Sequence, residues 1–199
     1  MPINSAMPWH GPMHVIFKHS LITQDIMIDA LKESLWKQFG ASIDMLKNAI
    51  TQWPEEHWNI HKKFFYNAYH CLIFLDYYLT IPPKDFSSPL PFTIAADGEV
   101  AADAVDDIIP DRIYTKKELL EYLKLSREKC RALIAGLTAE KLLDRFIEEP
   151  GQGDMNYSIL EILLYNMRHV QHHAAQLNLL LRQGINDAPG WVARAEDGL

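Results

Sequence analysis

SILEILLYNMRHVQHHAAQLNLLL, residues 158–181, decides the reading of this chain. Set out at about 100° per residue, Ile159, Ile162, Leu163, Val170, Leu177 and Leu180 share one apolar face. Glu161, Arg168, Gln171 and Arg182 fall opposite and mark the solvent side. That period predicts a long amphipathic helix. The middle of its apolar face is nevertheless polar: Asn166, His169 and His173 stand there, with Gln176 at the edge. Unpaired polar groups are costly in such a place, so the sequence predicts that they are satisfied together. His169 and His173 are four apart, which sets their Cβ atoms about 6 Å from each other on one helix face. Two imidazoles so placed can reach one ion. His172 points about 100° away and does not join them.

A third ligand has to come from another helix. Residues 59–79 read as a second helix rich in aromatics, on which Tyr66, His70, Ile73, Phe74 and Tyr77 share a face with His70 at its centre. Cys71 and Asp76 are rotated about 100–120° from His70 and are poor ligands. The predicted set is therefore His70, His169 and His173, three neutral nitrogens that suit zinc or nickel first and iron(II) next, with room for a further ligand. Two other histidine pairs are weaker. His57 and His61 stand at the start of the second helix, and His10 and His14 flank Pro12.

Two further helices complete the pattern. Apolar residues recur every three or four positions over residues 24–50, from Ile28 to Ile50. A third helix opens at Thr115 with Glu118 three residues on, a capping-box spacing, and ends near Gly136. A short helical turn is expected over residues 138–146, and Gly184 is expected to stop the last helix. No strand pattern is evident. The expected fold is all-α: a four-helix bundle over residues 23–184, after an irregular leader (1–22) and before a loosely packed tail (185–199). A long connection, residues 82–111, joins the second and third helices and is acidic and proline-rich. A length of this kind is often functional, and a lid over the site is one role for it.

Composition narrows the function. Over 199 residues the net charge is -7, with no basic stripe, so a nucleic-acid partner is not expected. Two cysteines are too few for a disulfide framework. The first residues lack the apolar core of a secretory signal, and no apolar run is long enough for a bilayer. The expected place is the cytoplasm. The chain has no HExxH, no ExxH pair at these histidines, no phosphate-binding glycine loop and no GxSxG. Zincin proteases, di-iron carboxylate bundles, P-loop enzymes and α/β-hydrolases are thereby disfavoured.

The chain resembles the DinB/YfiT superfamily of metal-binding four-helix bundles. The resemblance is carried by LWKQFGASIDMLKNAI (residues 35–50), by the inward His70, and by the last helix, where His169, His173 and Gln176-Leu177 follow the family's pattern. It implies one metal on the three histidines with an open coordination position. Relatives resemble metal-dependent hydrolases in site design, and some subfamilies are thiol-dependent S-transferases or isomerases. The expected function is a metal-dependent hydrolase, with a thiol S-transferase or a non-catalytic structural bundle as alternatives; a histidine-ligated haem protein is a more distant one. The substrate would be an unidentified small molecule, with a thiol as the candidate class, and exposed apolar surface leaves room for a homodimer. Asn166 and Gln176 are expected to orient ligands, and Tyr66 and Tyr77 to line the pocket. No inward carboxylate offers itself as a general base.

Overall fold

The computed structural model describes residues 13–96, 98–100, 102–151 and 153–199, with side chains from residue 25 onward. Four long helices carry the fold: α1 (Met13–Gln52), α2 (Lys62–Tyr78), α3 (Lys116–Ala135) and, last in the chain, α5 (Ile159–Ile185). Each packs on two neighbours, in the ring order α1, α5, α2, α3. Their apolar stripes meet in a core built around Trp36, Phe39, Ile43, Phe65, Leu119, Ile134, Val170 and Leu177, all fully buried. The short helix α4 (Ala139–Leu143) lies between α3 and α5. The expected all-α bundle is the observed one, and no described helix is long and apolar enough to cross a membrane.

Helix ends follow their local chemistry. Thr115 and Glu118 form the expected capping box at the start of α3. The Ser158 side chain accepts from the Glu161 amide and caps α5. Pro54 opens a 3-10 turn, Glu55–His57, which bends the chain from α1 into α2.

Four expectations are corrected. The first concerns the leader: α1 starts at Met13, ahead of the expected start at residue 24, because residues 13–23 hold no proline or glycine to stop a helix. Residues 1–12, including His10, lie outside the described residues. The second concerns strands. Two antiparallel pairs exist: β1 (Phe92–Ile94) with β2 (Ile108–Pro110), and β3 (Arg145–Ile147) with β4 (Asn156–Ser158). Phe146 therefore lies in β3, not in a helical turn. Three-residue strands are too short for an alternation of period two to register.

The third concerns the stop of α5. The helix runs through Gly184 to Ile185 and ends on Asn186, which takes the left-handed conformation at φ 56°. Gly184 is small for a different reason: a Cβ there would stand 3.1 Å from the Trp53 ring. The fourth concerns the tail. Ala195 is buried, its amide donates to the Lys37 carbonyl at 2.9 Å, and the indole of Trp36 donates to the Asp197 carbonyl at 3.0 Å. The segment is thus bound to α1 rather than loosely packed.

A candidate metal centre between two helices

Helices α2 and α5 run antiparallel, since Asn67 meets Gln176, His70 meets His169, and Asn166 meets Leu75. Their contact face brings together His70, His169 and His173. One nitrogen from each ring lies within 4.8 Å of those from the other two. The Nε2 atoms of His70 and His169 are 3.1 Å apart. Two nitrogens about 2.0–2.1 Å from one ion, at an angle of about 90–110°, stand about 2.9–3.4 Å apart. The spacing therefore fits an edge of a coordination shell.

His173 is oriented from outside the cluster. Its Nδ1 lies 3.2 Å from Asn67 Oδ1, and the Asn67 amide donates to Gln176 Oε1 at 2.8 Å. Gln176 donates in turn to His172 Nε2 at 3.0 Å. An oxygen facing Nδ1 keeps the proton there and leaves Nε2 bare for a ligand role. His70 has a carboxylate on its outer side: Asp106 Oδ2 lies 2.8 Å from its Nδ1. The oxygen sits off the N–H axis, so the pair interacts by close charge and dipole rather than by a straight hydrogen bond.

Burial disfavours charge on these rings. Desolvation first, then the neighbouring histidines, lowers His169 to about 3 and His173 to about 4. At neutral pH both are neutral, the state that binds a metal. His169 Nδ1 is buried with no partner. Three lone-pair nitrogens converging in a buried place, without a proton donor for each, is an arrangement that a divalent cation satisfies. The residues present thus fit such an ion, and the donor set of three imidazoles suits zinc or nickel, with iron(II) next. An open groove of about 710 Å³ along α5 reaches His169, with Tyr165, Arg168, His172 and Trp191 among its lining residues.

The sequence profile of the DinB superfamily matches residues 17–177. The chain belongs to that superfamily. Among curated proteins and among solved structures nothing matches it. The DinB match covers α2 and α5 as far as residue 177, and so takes in all three histidines.

The other expected DinB site residues are distributed differently. Gln176 touches the site through Asn67. Asn166 is fully buried, but its amide donates to the Leu75 carbonyl at 2.9 Å. That carbonyl is among the last four of α2, which have no partner within their own helix. Asn166 thus caps α2 with its amide group, while its Oδ1 is buried with no partner among the described residues. Tyr77 donates to the buried Glu148 at 2.8 Å, and Tyr66 packs edge-on against Phe65; neither ring meets the three histidines among the described aromatic contacts. His57 and His61 lie edge-to-face beside Trp53, away from the metal centre. His172 stays exposed and outside the triad, as helical geometry requires. Cys71 and Cys130 are buried, and desolvation pushes both thiols up. Asn67 and Asp106 went unnoticed in the sequence. Asn67 carried a signal, as a poor helix former three residues before His70 in an otherwise aromatic helix. Asp106 carried none, because only the folded connection brings it near.

Proposed function

We propose that the chain binds one divalent transition metal through His70, His169 and His173 and uses it to activate a small-molecule ligand. The convergence of three imidazole nitrogens within 4.8 Å of one another carries this reading. When bound, such an ion acidifies a water or a thiol in its remaining position and so yields a nucleophile at neutral pH. The chain's own residues orient and exclude. Asn67 presents His173, Asp106 faces His70, and Phe74 and Tyr78 pack against His169 and keep bulk water from that side.

Hydrolysis of a small substrate is one outcome of this arrangement. Thiol transfer is the other, and a specific observation favours it. A hydrolase gains from a free carboxylate as general base, yet among the described residues the carboxylates nearest the site are engaged. Asp106 faces the outer side of His70, Asp76 binds Lys129 and Tyr122, and Glu148 accepts from Tyr77. A thiol needs less help from a base, because its proton leaves more readily than that of water.

Elemental analysis of wild type beside His70→Ala, His169→Ala, His173→Ala and His172→Ala tests the metal site. The expected result is about one ion per chain in wild type and His172→Ala, and loss of most of it in the other three. Folded wild-type protein that takes up neither zinc nor nickel refutes the reading. Loaded protein is then assayed with ester and amide substrates and, separately, with a thiol and an electrophile; turnover in the second assay alone selects transfer.

A further inference from the structure

One side chain of the connection between α2 and α3 reaches the histidines. Asp106 uses both oxygens: Oδ1 accepts from the Ile108 amide at 3.0 Å, and Oδ2 lies 2.8 Å from His70 Nδ1. The backbone on either side of it is fastened. Ile108 begins β2, which pairs with β1, and the Ala95 amide donates to the Asp107 carbonyl at 2.8 Å. The connection is also tied to α2 next to His70, where the Tyr69 hydroxyl donates to the carbonyls of Leu90 and Pro91 at 2.8 and 3.1 Å. His70 and Asp106 therefore face each other from two segments that are joined elsewhere.

We propose that Asp106 is a positioning residue for His70, and that through it metal binding is coupled to the ordering of the connection. The inference rests on the proposed metal site. A carboxylate beside Nδ1 holds the ring proton on that side, leaves the Nε2 lone pair facing His169, and makes it a better donor. Asp106 acts through the imidazole: it stands at Nδ1, across the ring from Nε2, and so does not act as a base on substrate. Coupling of this kind is reciprocal. Whatever the contact contributes to metal affinity, the metal returns to the stability of the connection.

A competing account has Asp106 serving only the Ile108 turn. Asp106→Asn separates the two. Asparagine has a single carbonyl oxygen, so it can accept from the Ile108 amide or from His70, but not from both. If it keeps the turn, it turns an NH2 toward the ring nitrogen that must carry the proton. Two measurements test the proposal. The first is zinc affinity of wild type, Asp106→Asn and Asp106→Ala, by competition with a chelator. The second is amide hydrogen exchange over residues 102–110 of wild type, with and without zinc, which needs no variant. The expected results are an affinity loss of about 10–100-fold in Asp106→Asn and slower exchange in zinc-loaded wild type. Wild-type affinity in a folded Asp106→Asn and also in a folded Asp106→Ala, which sets no acceptor beside Nδ1 in any conformer, overturns the positioning role. Exchange that zinc leaves unchanged overturns the coupling. A wild type that binds no zinc or nickel is a separate result, because it removes the metal site itself.

Discussion

Asn67 decides which nitrogen of His173 is free. Its oxygen faces Nδ1 and its amide group faces Gln176, so the two halves of one side chain serve two partners. Asn67→Leu keeps the branched shape and the number of side-chain heavy atoms and removes both. A buried imidazole N–H and a glutamine oxygen then lose their partner, and His173 is free to turn or to change tautomer. Zinc affinity is expected to fall about 10–100-fold. Asn67→Asp retains the acceptor, and Gln176 can reverse its amide to donate to it, so affinity within about tenfold of wild type is expected. Competition titration of both variants reads the difference, and an unchanged affinity in Asn67→Leu shows that His173 needs no such support. The clustering of the three histidines was legible in the sequence because a histidine on an apolar helix face contradicts its surroundings. Their outer partners were less so. Asn166 reads as part of the same polar cluster at 100° per residue, but it stands one turn beyond the ion-sized gap and meets the end of α2 instead.

Among the elements, α3 shows most clearly how a local signal becomes a stable boundary. Glu118 closes the capping box by accepting from the Thr115 amide at 2.7 Å, and it also takes both arms of Arg112. The guanidinium first, and the Thr115 backbone next, lower its carboxyl to about 2. A group held below its ordinary value near 4.5 adds stability in full above that value and loses it as pH falls toward 2. Glu118→Gln keeps the cap, since glutamine also serves in this box, and removes only the charge. The gap in melting temperature between wild type and Glu118→Gln should be widest near neutral pH and close between about pH 4.5 and 2. Thermal melts across that range check it, and a gap that stays constant with pH excludes the charge as its source. The capping box was visible in the sequence because its partners are three residues apart. The hairpin of β1 and β2 was not, because its strands are three residues long and residues 95–107 stand between them.

At the scale of the whole molecule, the segment after α5 ties together α1 and α3, the two long helices that contribute nothing to the cluster of His70, His169 and His173. Arg127 on α3 donates to Asp44 on α1 and to Asp197 of that segment, and its guanidinium lies 4.8 Å over the Trp36 ring. Lys37 donates to the carbonyls of Ala195 and Asp197. The seam between α1 and α3 is thereby closed over the fully buried Trp36. No pattern of apolar spacing in residues 186–199 announces this, since the contacts are chiefly backbone carbonyls and one ion pair. Gly40 records the closeness of the segment. A Cβ built there would stand 2.8 Å from Ala195 Cβ, a separation that forces one of them to move. Glycine inside an exposed helix ordinarily costs about 1 kcal/mol relative to alanine. Gly40→Ala should reverse that sign and destabilise the chain by about 1–3 kcal/mol, as overpacking does. In an Ala195→Gly background the clash is gone, and the same substitution should stabilise by up to about 1 kcal/mol. Denaturant unfolding of the four proteins in this cycle measures the coupling, the difference between those two effects, expected at about 1–4 kcal/mol. A single Gly40→Ala variant that is more stable than wild type would mean that the segment stands away from α1, and the closure of the α1–α3 seam would then have to rest on Arg127 and Asp44 alone.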